Sequence, residues 1–212
     1  MNMTFAITTD YADDGRLDKI VESIRRLHIP YYEILIIGPG RNGRNGDVRC
    51  ISFDESLKPG WITRKKNILC QQAIYDIIVL MHDYYVFDNE WYNEFLLFGS
   101  DWDICSNQQQ LITGARHFTD WVMWDHPTIP RYTPVDYAEW GLTKYMYISG
   151  GYYLLKKNIA LTYPLNESML WGSAEDIEWS LRVRNKCKIV CNGHAIVRHN
   201  KVHRDAAKTA HF

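Results

Sequence analysis

Five apolar residues in unbroken succession, Ile77-Ile78-Val79-Leu80-Met81, mark a strand buried on both faces. His82-Asp83-Tyr84 follows at once. Ile34-Leu35-Ile36-Ile37 reads the same way, and Thr4 to Thr9 is a first strand ending in hydroxyls and Asp10. Between these runs the period changes. Leu17, Ile20, Val21, Ile24 and Leu27 recur every three or four positions, which predicts an amphipathic helix over Arg16 to Leu27, stopped by Pro30. Val48 to Phe53 is a third, partly polar strand, reached through a glycine-rich loop over 38–46. Pro59-Gly60 precedes a second helix over Ile62 to Ala73. The order strand, helix, strand, strand, helix, strand predicts an α/β fold with a mostly parallel central sheet flanked by helices.

The second half is less regular. Asp103 to Ser106 is a short strand. From Phe118 to Tyr147 the chain is rich in Trp and Tyr and broken by Pro127, Pro130 and Pro134, so it is either a binding wall or a loop packed on the core. Tyr147 to Leu155 is a strand interrupted by Ser149-Gly150-Gly151, and paired glycines there signal a bulge or a close approach of backbone to ligand. A helix over Ala174 to Arg184 carries Glu175 and Asp176 in its first turn, where acids favour the positive helix end. Lys188 to Cys191 is a last short strand, and Ala195-Ile196-Val197 leads to Arg198-His199. The tail over 200–212 is polar and basic, and is expected to lie over the site or to be partly mobile.

Composition narrows the function classes. A chain of 212 residues fits a single domain over 1–212, and a net charge of −1 argues against a generally basic nucleic-acid binder. There is no apolar run of membrane-spanning length and no secretory signal. Five cysteines, an odd number without a CxxC pair, fit reduced thiols, so a cytoplasmic location is expected. Eight Trp and fourteen Tyr, concentrated in the second half, suit a ring-bearing ligand as well as a core.

Ligands of open parallel sheets bind beyond the carboxyl ends of the strands. An acid and an imidazole at His82-Asp83 suit a divalent ion there, while a turn with a helix cap is the structural alternative. Four ordered elements then match one pattern: HDY after the buried strand, SGG at 149–151, Glu175-Asp176 within GSAEDIEW, and the late His199. The chain resembles GT-A fold glycosyltransferases, near the family 2-like inverting enzymes that use nucleotide-diphosphate sugars. That resemblance implies a nucleotide-binding half over about 1–105, and an acceptor-binding and catalytic half over 106–212 with a small acceptor-side elaboration. It implies a UDP- or GDP-type sugar donor, Mn²⁺ or Mg²⁺ held by Asp83 and His199, and Asp176 as general base with Glu175 beside it. Thr8, Thr9, Asp10, Asp54, Lys65, Lys66, His82, Asp83, Gly150 and Gly151 fall on the nucleotide and donor side, with Arg64 to Lys66 readable equally as a solvated charge run. Trp121, Trp124 and Trp140 are candidates to stack on the acceptor. The third position of HDY lacks the usual carboxylate, and Gly38-Pro39-Gly40 stands where many relatives carry an acid for base and ribose; Asp10 or Asp54 takes that place. Glycan, lipid-linked and protein hydroxyls, or a hydroxymethylated base in DNA, are the acceptor classes. A non-catalytic nucleotide- or sugar-binding module is the alternative from another class.

Overall fold

The computed structural model describes residues 1–10 and 15–200. The chain runs β1 (Met3–Thr8), α1 (Arg16–Arg25), β2 (Tyr32–Gly38), β3 (Gly43–Asn45), β4 (Val48–Ser52), α2 (Ile62–Gln72), β5 (Ile77–His82), β6 (Tyr85–Phe87), α3 (Trp91–Phe98), β7 (Ile104–Leu111), β8 (Tyr152–Lys156), α4 (Lys157–Thr162), α5 (Glu175–Val183) and β9 (Ile189–His199). The basic tail, with Lys201, His203, Arg204 and Lys208, lies outside the described residues.

All nine strands join one sheet in the order β3-β4-β2-β1-β5-β8-β7-β9-β6. In the first half β4, β2, β1 and β5 are mutually parallel. The second half is mixed: β8 runs against both β5 and β7, while β9 is parallel to β7 and antiparallel to β6. Two reversals restore the direction, so β7 and β9 point the same way as β5. The carboxyl ends of β1, β5, β7 and β9 therefore meet at one edge. The start of β8, just after the paired glycines, and the start of β6 arrive at the same edge, through the pairs Met81 with Tyr152 and Tyr85 with His199.

Alternation along each strand sends side chains to two cores. On one face Phe5, Ile7, Ile34, Val79, Met81 and Leu154 pack with Ile20 and Ile24 of α1 and Trp91 and Phe95 of α3. On the other Ala6, Leu35, Ile78, Leu80 and Tyr153 pack with Leu69 and Cys70 of α2, Ala160 of α4, and Trp179 and Val183 of α5. Every residue of β5 is buried, as an uninterrupted apolar run requires.

Several elements escape the hydrophobic pattern. β7 extends to Leu111 through Asn107 and three glutamines, well past Ser106. β9 is one strand to His199, where the sequence marks a strand only over Lys188 to Cys191. Its ladder with β7 slips between Asn107 and Gln108, and the Asn192 side chain closes the bulge by accepting the N–H groups of His194 and Ala195 at 3.0 and 3.2 Å. Among the described residues no helix is long and apolar enough to cross a membrane.

Candidate active site

Two clefts open at the shared strand edge, and they have a wall in common. The first, about 460 Å³, is lined by Thr8, Thr9 and Asp10 at the end of β1, by Asp83, by Arg16 at the start of α1, and by Glu55 and Lys65. The second, about 430 Å³, is lined by Gly150 and Gly151, Glu175 and Asp176, Tyr132 and Tyr147, and by His117 and His199. His82, Tyr84 and Trp171 line both. Asp83 and Asp176, far apart along the polymer, thus occupy adjoining clefts on one side of the sheet. The Tyr84 hydroxyl registers both: burial pushes its pKa up, and the charges of Asp83, Asp176 and Glu175 push it further.

In the first cleft Asp83 accepts the Thr9 hydroxyl at 2.6 Å, and its other oxygen lies 3.6 Å from the Arg16 guanidinium. Arg16 also faces Asp10 at 3.6 Å. Lys65 pairs with Glu55 at 2.6 Å. Thr8, Thr9, Asp10 and Lys65 are therefore on the cleft where the sequence puts the nucleotide. Asp54 is not: its carboxylate is exposed and accepts the backbone N–H and hydroxyl of Ser56 at 2.9 and 2.6 Å, which also lowers its pKa. The neighbouring Glu55 takes the place on the cleft wall. Lys66 is not there either. It is fully buried, and its ammonium donates to the Gly150 carbonyl at 2.7 Å.

The second cleft is organised by the glycine pair. The Gly151 carbonyl accepts the His82 N–H at 2.9 Å, continuing the ladder of β5 past the start of β8. The Gly150 N–H donates to Asp176 Oδ2 at 2.9 Å. A Cβ at Gly150 would stand 2.8 Å from the Asp176 Cβ, and one at Gly151 would stand 2.9 Å from the Tyr85 hydroxyl, so both positions must be glycine for this approach. Asp176 Oδ1 accepts the N–H of Ile177 at 2.9 Å. Glu175 is nearly buried at 6% exposure, and burial raises its pKa while Lys66 pulls the other way. The residue before the acids, Ala174, caps α5 in the left-handed region at φ 59°. A side chain with a Cβ costs roughly 1–2 kcal/mol in that region, so tertiary packing holds this turn in place.

Imidazoles and phenols form the opposite wall. The His199 ring stacks on His117 with centroids 5.3 Å apart and planes 19° apart, and leans on Tyr84 at 4.6 Å. His82 Nδ1 and the Tyr84 hydroxyl share a hydrogen bond of 2.9 Å. Among the described residues no three His, Cys, Asp or Glu side chains gather as a metal cage. Asp83 with His199 offers one carboxylate and one imidazole. That donor set fits Mg²⁺ or Mn²⁺ only in the mode where substrate phosphates and water complete the coordination.

The three expected acceptor tryptophans do not line this cleft. Trp121 is 1% exposed, in the core, with its indole N–H donated to the Glu139 carbonyl. Trp140 is held by Phe98 and by the carbonyls of Tyr137 and Cys191, near the far end of β9 from His199. Trp124 stands behind Tyr132 and Tyr147, with the Arg131 guanidinium 3.9 Å over its ring. The physical reason is local: residues 118–147 fold back through Val122, Met123 and Met146, which are buried, and that packing consumes the nearest indoles. The aromatic wall consists of Tyr132, Tyr147 and Trp171 instead. Trp171 is 68% exposed, an apolar ring left in solvent four residues before Glu175, and its neighbourhood was the available signal.

This architecture is the GT-A fold. Two solved structures illustrate it. Residues 1–349 of TarS from S. aureus, in complex with UDP-GlcNAc, superpose on all of this chain with a TM-score of 0.67 at 12% identity. GalNAc-T7 with UDP, GalNAc and Mn²⁺ superposes on 94% of it with a TM-score of 0.72 at 14% identity. The chain spans 62% and 44% of those two structures. No family model and no curated protein sequence matches it.

Proposed function

We propose that the chain is an inverting glycosyltransferase moving a sugar from a nucleotide-diphosphate donor to an acceptor hydroxyl. The observation that carries this reading is the junction of the two clefts. A cleft with hydroxyls, Asp83, Arg16 and Lys65 meets, across His82-Tyr84, a cleft in which Asp176 lies against a glycine backbone. The neighbours support a UDP-type donor, since TarS holds UDP-GlcNAc and GalNAc-T7 holds UDP with Mn²⁺.

The donor's nucleotide fits the first cleft, with Thr8, Thr9 and Asp10 at its polar groups and Lys65 and Arg16 as the cations near its phosphates. The sugar then lies along the Gly150-Gly151 backbone of the cleft, where the absence of side chains lets Asp176 and Tyr85 close in on the same backbone. The acceptor enters the second cleft between Tyr132, Tyr147 and Trp171. Its oxygen bonds to the anomeric carbon as the bond from that carbon to the diphosphate oxygen breaks. The diphosphate leaves with the electron pair, and the acceptor proton passes to the Asp176 carboxylate. Asp176 retains lone pairs for this, because the Gly150 and Ile177 N–H groups each occupy only one on either oxygen. Glu175, deeper and partly desolvated, orients the hydroxyls of donor or acceptor. A divalent ion held by Asp83 and His199 would neutralise the departing diphosphate.

The test is donor turnover with UDP- and GDP-sugars, with Mn²⁺ or with chelator, in wild-type and Asp176→Asn protein. The variant is expected to lose about 10²- to 10⁴-fold in turnover while still binding nucleotide. Transfer at wild-type rate in that variant removes Asp176 as base. Nucleotide binding without any turnover in the wild type would make the chain a binding module.

A further inference from the structure

Ile62, Lys66 and Leu69 on α2, and Ala73 capping its end, fall at intervals of four, three and four, and all four are buried. Lys66 therefore occupies the inward stripe of an amphipathic helix, a position the pattern reserves for apolar residues. Its side chain is 0% exposed. An ammonium in such a place is stabilised only by pairing and hydrogen bonding.

Lys66 reaches the floor of the second cleft. Gly150 is held from two sides: its carbonyl accepts Lys66 Nζ at 2.7 Å, and its N–H donates to Asp176 Oδ2 at 2.9 Å. The Gly151 carbonyl beside it is pinned by the His82 N–H. The absence of a Cβ at Gly150 lets the Asp176 side chain close on this backbone. The charges are complementary as well, with the buried ammonium opposite Glu175 and Asp176. Burial lowers the Lys66 pKa, while Glu175, Asp176 and the Cys70 thiol raise it.

We propose that Lys66 is a positioning residue for Asp176, acting through Gly150 and never touching substrate. This rests on the glycosyl-transfer reading. Other titratable groups around the acid pair are Tyr84 after β5, Tyr147, Tyr153 on β8, the cleft imidazoles His82, His117 and His199, and the cleft phenols Tyr85 and Tyr132. Burial raises the pKa of Tyr84, Tyr147 and Tyr153, so they are neutral near pH 7. Lys66 is the ammonium built into the floor beneath the pair.

The experiment compares the full chain with Lys66→Met and with Lys66→Gln, which keeps a neutral donor toward the Gly150 carbonyl. Three quantities are measured: the Glu175 and Asp176 carboxyl titrations by ¹³C NMR, UDP affinity, and the pH dependence of kcat and KM. In Lys66→Met the Glu175 carboxyl titration is expected to move up, since the opposite charge of Lys66 favours the ionised carboxylate. The acid limb of kcat should follow, with kcat near neutrality down about 10- to 100-fold from misplacement and UDP affinity within about twofold. Unchanged carboxyl titrations overturn the proposal, as does a tenfold loss of UDP affinity, which would make Lys66 a nucleotide ligand. If Lys66→Met does not fold, Lys66→Gln carries the same decision, with a carboxyl shift expected and its absence fatal. If the wild type transfers no sugar, the functional reading fails, while the NMR titration still reports whether Lys66 governs the two acids.

Discussion

The two halves of the sheet are built by different chemistry. β4, β2, β1 and β5 are parallel, and the buried positions of β1, β2 and β5 are mostly apolar, with the Thr4 hydroxyl donating to Glu33 at 2.8 Å as a buried polar pair among them. β8, β7, β9 and β6 are mixed in direction, and their interior holds Ser106, Asn107, Gln109 and Asn192, all buried. In the first half hydrophobic transfer holds the strands together. In the second, buried hydrogen bonds do part of that work: Asn107 Oδ1 accepts both the Tyr152 hydroxyl at 2.6 Å and the Trp91 indole N–H at 3.2 Å, and the Gln109 amide oxygen accepts the Tyr85 hydroxyl at 2.9 Å. The difference teaches where specificity resides. Apolar strands tolerate any partner of the right shape, whereas a polar strand in the interior is stable only in the one register that satisfies its groups. The polar half also supplies the wall with His199, the glycine pair and the acids.

Breaking the comparison in the first half should have the largest effect on stability. Leu80→Ala, in the fully buried β5, is expected to cost about 2–5 kcal/mol in urea unfolding, the range for buried Leu truncation. A loss under 1 kcal/mol would mean that the parallel half is not the dominant core. The counterpart in the second half is Asn107→Leu, which keeps the branched shape but strips the acceptor from Tyr152, while the Trp91 indole N–H keeps the Tyr152 hydroxyl at 3.1 Å. It should cost about 1–3 kcal/mol, the penalty for stranding a buried donor. A variant more stable than wild type would show the polar network to be a burden on folding.

The smallest effect sharpens the contrast from the surface of the parallel half. Asp47 accepts bonds from Arg25 at 2.8 Å and from Tyr32 at 2.7 Å, and the Arg25 bond chiefly lowers its pKa to about 2. A depressed carboxylate contributes stability above its unfolded pKa of about 3.9 and loses it as pH falls through the folded value. The contribution should therefore be complete above about pH 4 and vanish toward pH 2. Partial exposure limits it to roughly 0.5 kcal/mol. Asp47→Asn should flatten that part of the acid unfolding curve, and an unchanged curve would assign the slope to other carboxylates.

Legibility followed the same division. The apolar runs of β1, β2 and β5 and the extents of α1, α2 and α5 were readable to within a residue or two. β7 was readable only to Ser106, because buried Asn and Gln look like loop residues until their partners are known. β9 was readable only to Cys191, because the bulge that follows interrupts its apolar run. Asp83, Gly150, Gly151, Asp176 and His199, singled out through the resemblance to the GT-A pattern, all line one or the other of the two clefts. Lys66 was read by charge when its stripe position already pointed inward. The tryptophans were chosen by ring type, which says nothing about which side of a folded loop each one faces.

What the sequence by itself determined is the set of local conformations. Apolar runs make buried strands, three-and-four spacing makes amphipathic helices, and paired glycines make a backbone that can be approached, because these depend on near neighbours alone. Tertiary structure decided the rest. Two antiparallel pairings at β8 bring β7 and β9 back into the direction of β5, and only that reversal places His199 and Asp176 beside the cleft of Asp83. Burial likewise decided that Lys66 lies under the floor and Trp171 at the mouth, since exposure is a property of the packed whole and no single segment carries it.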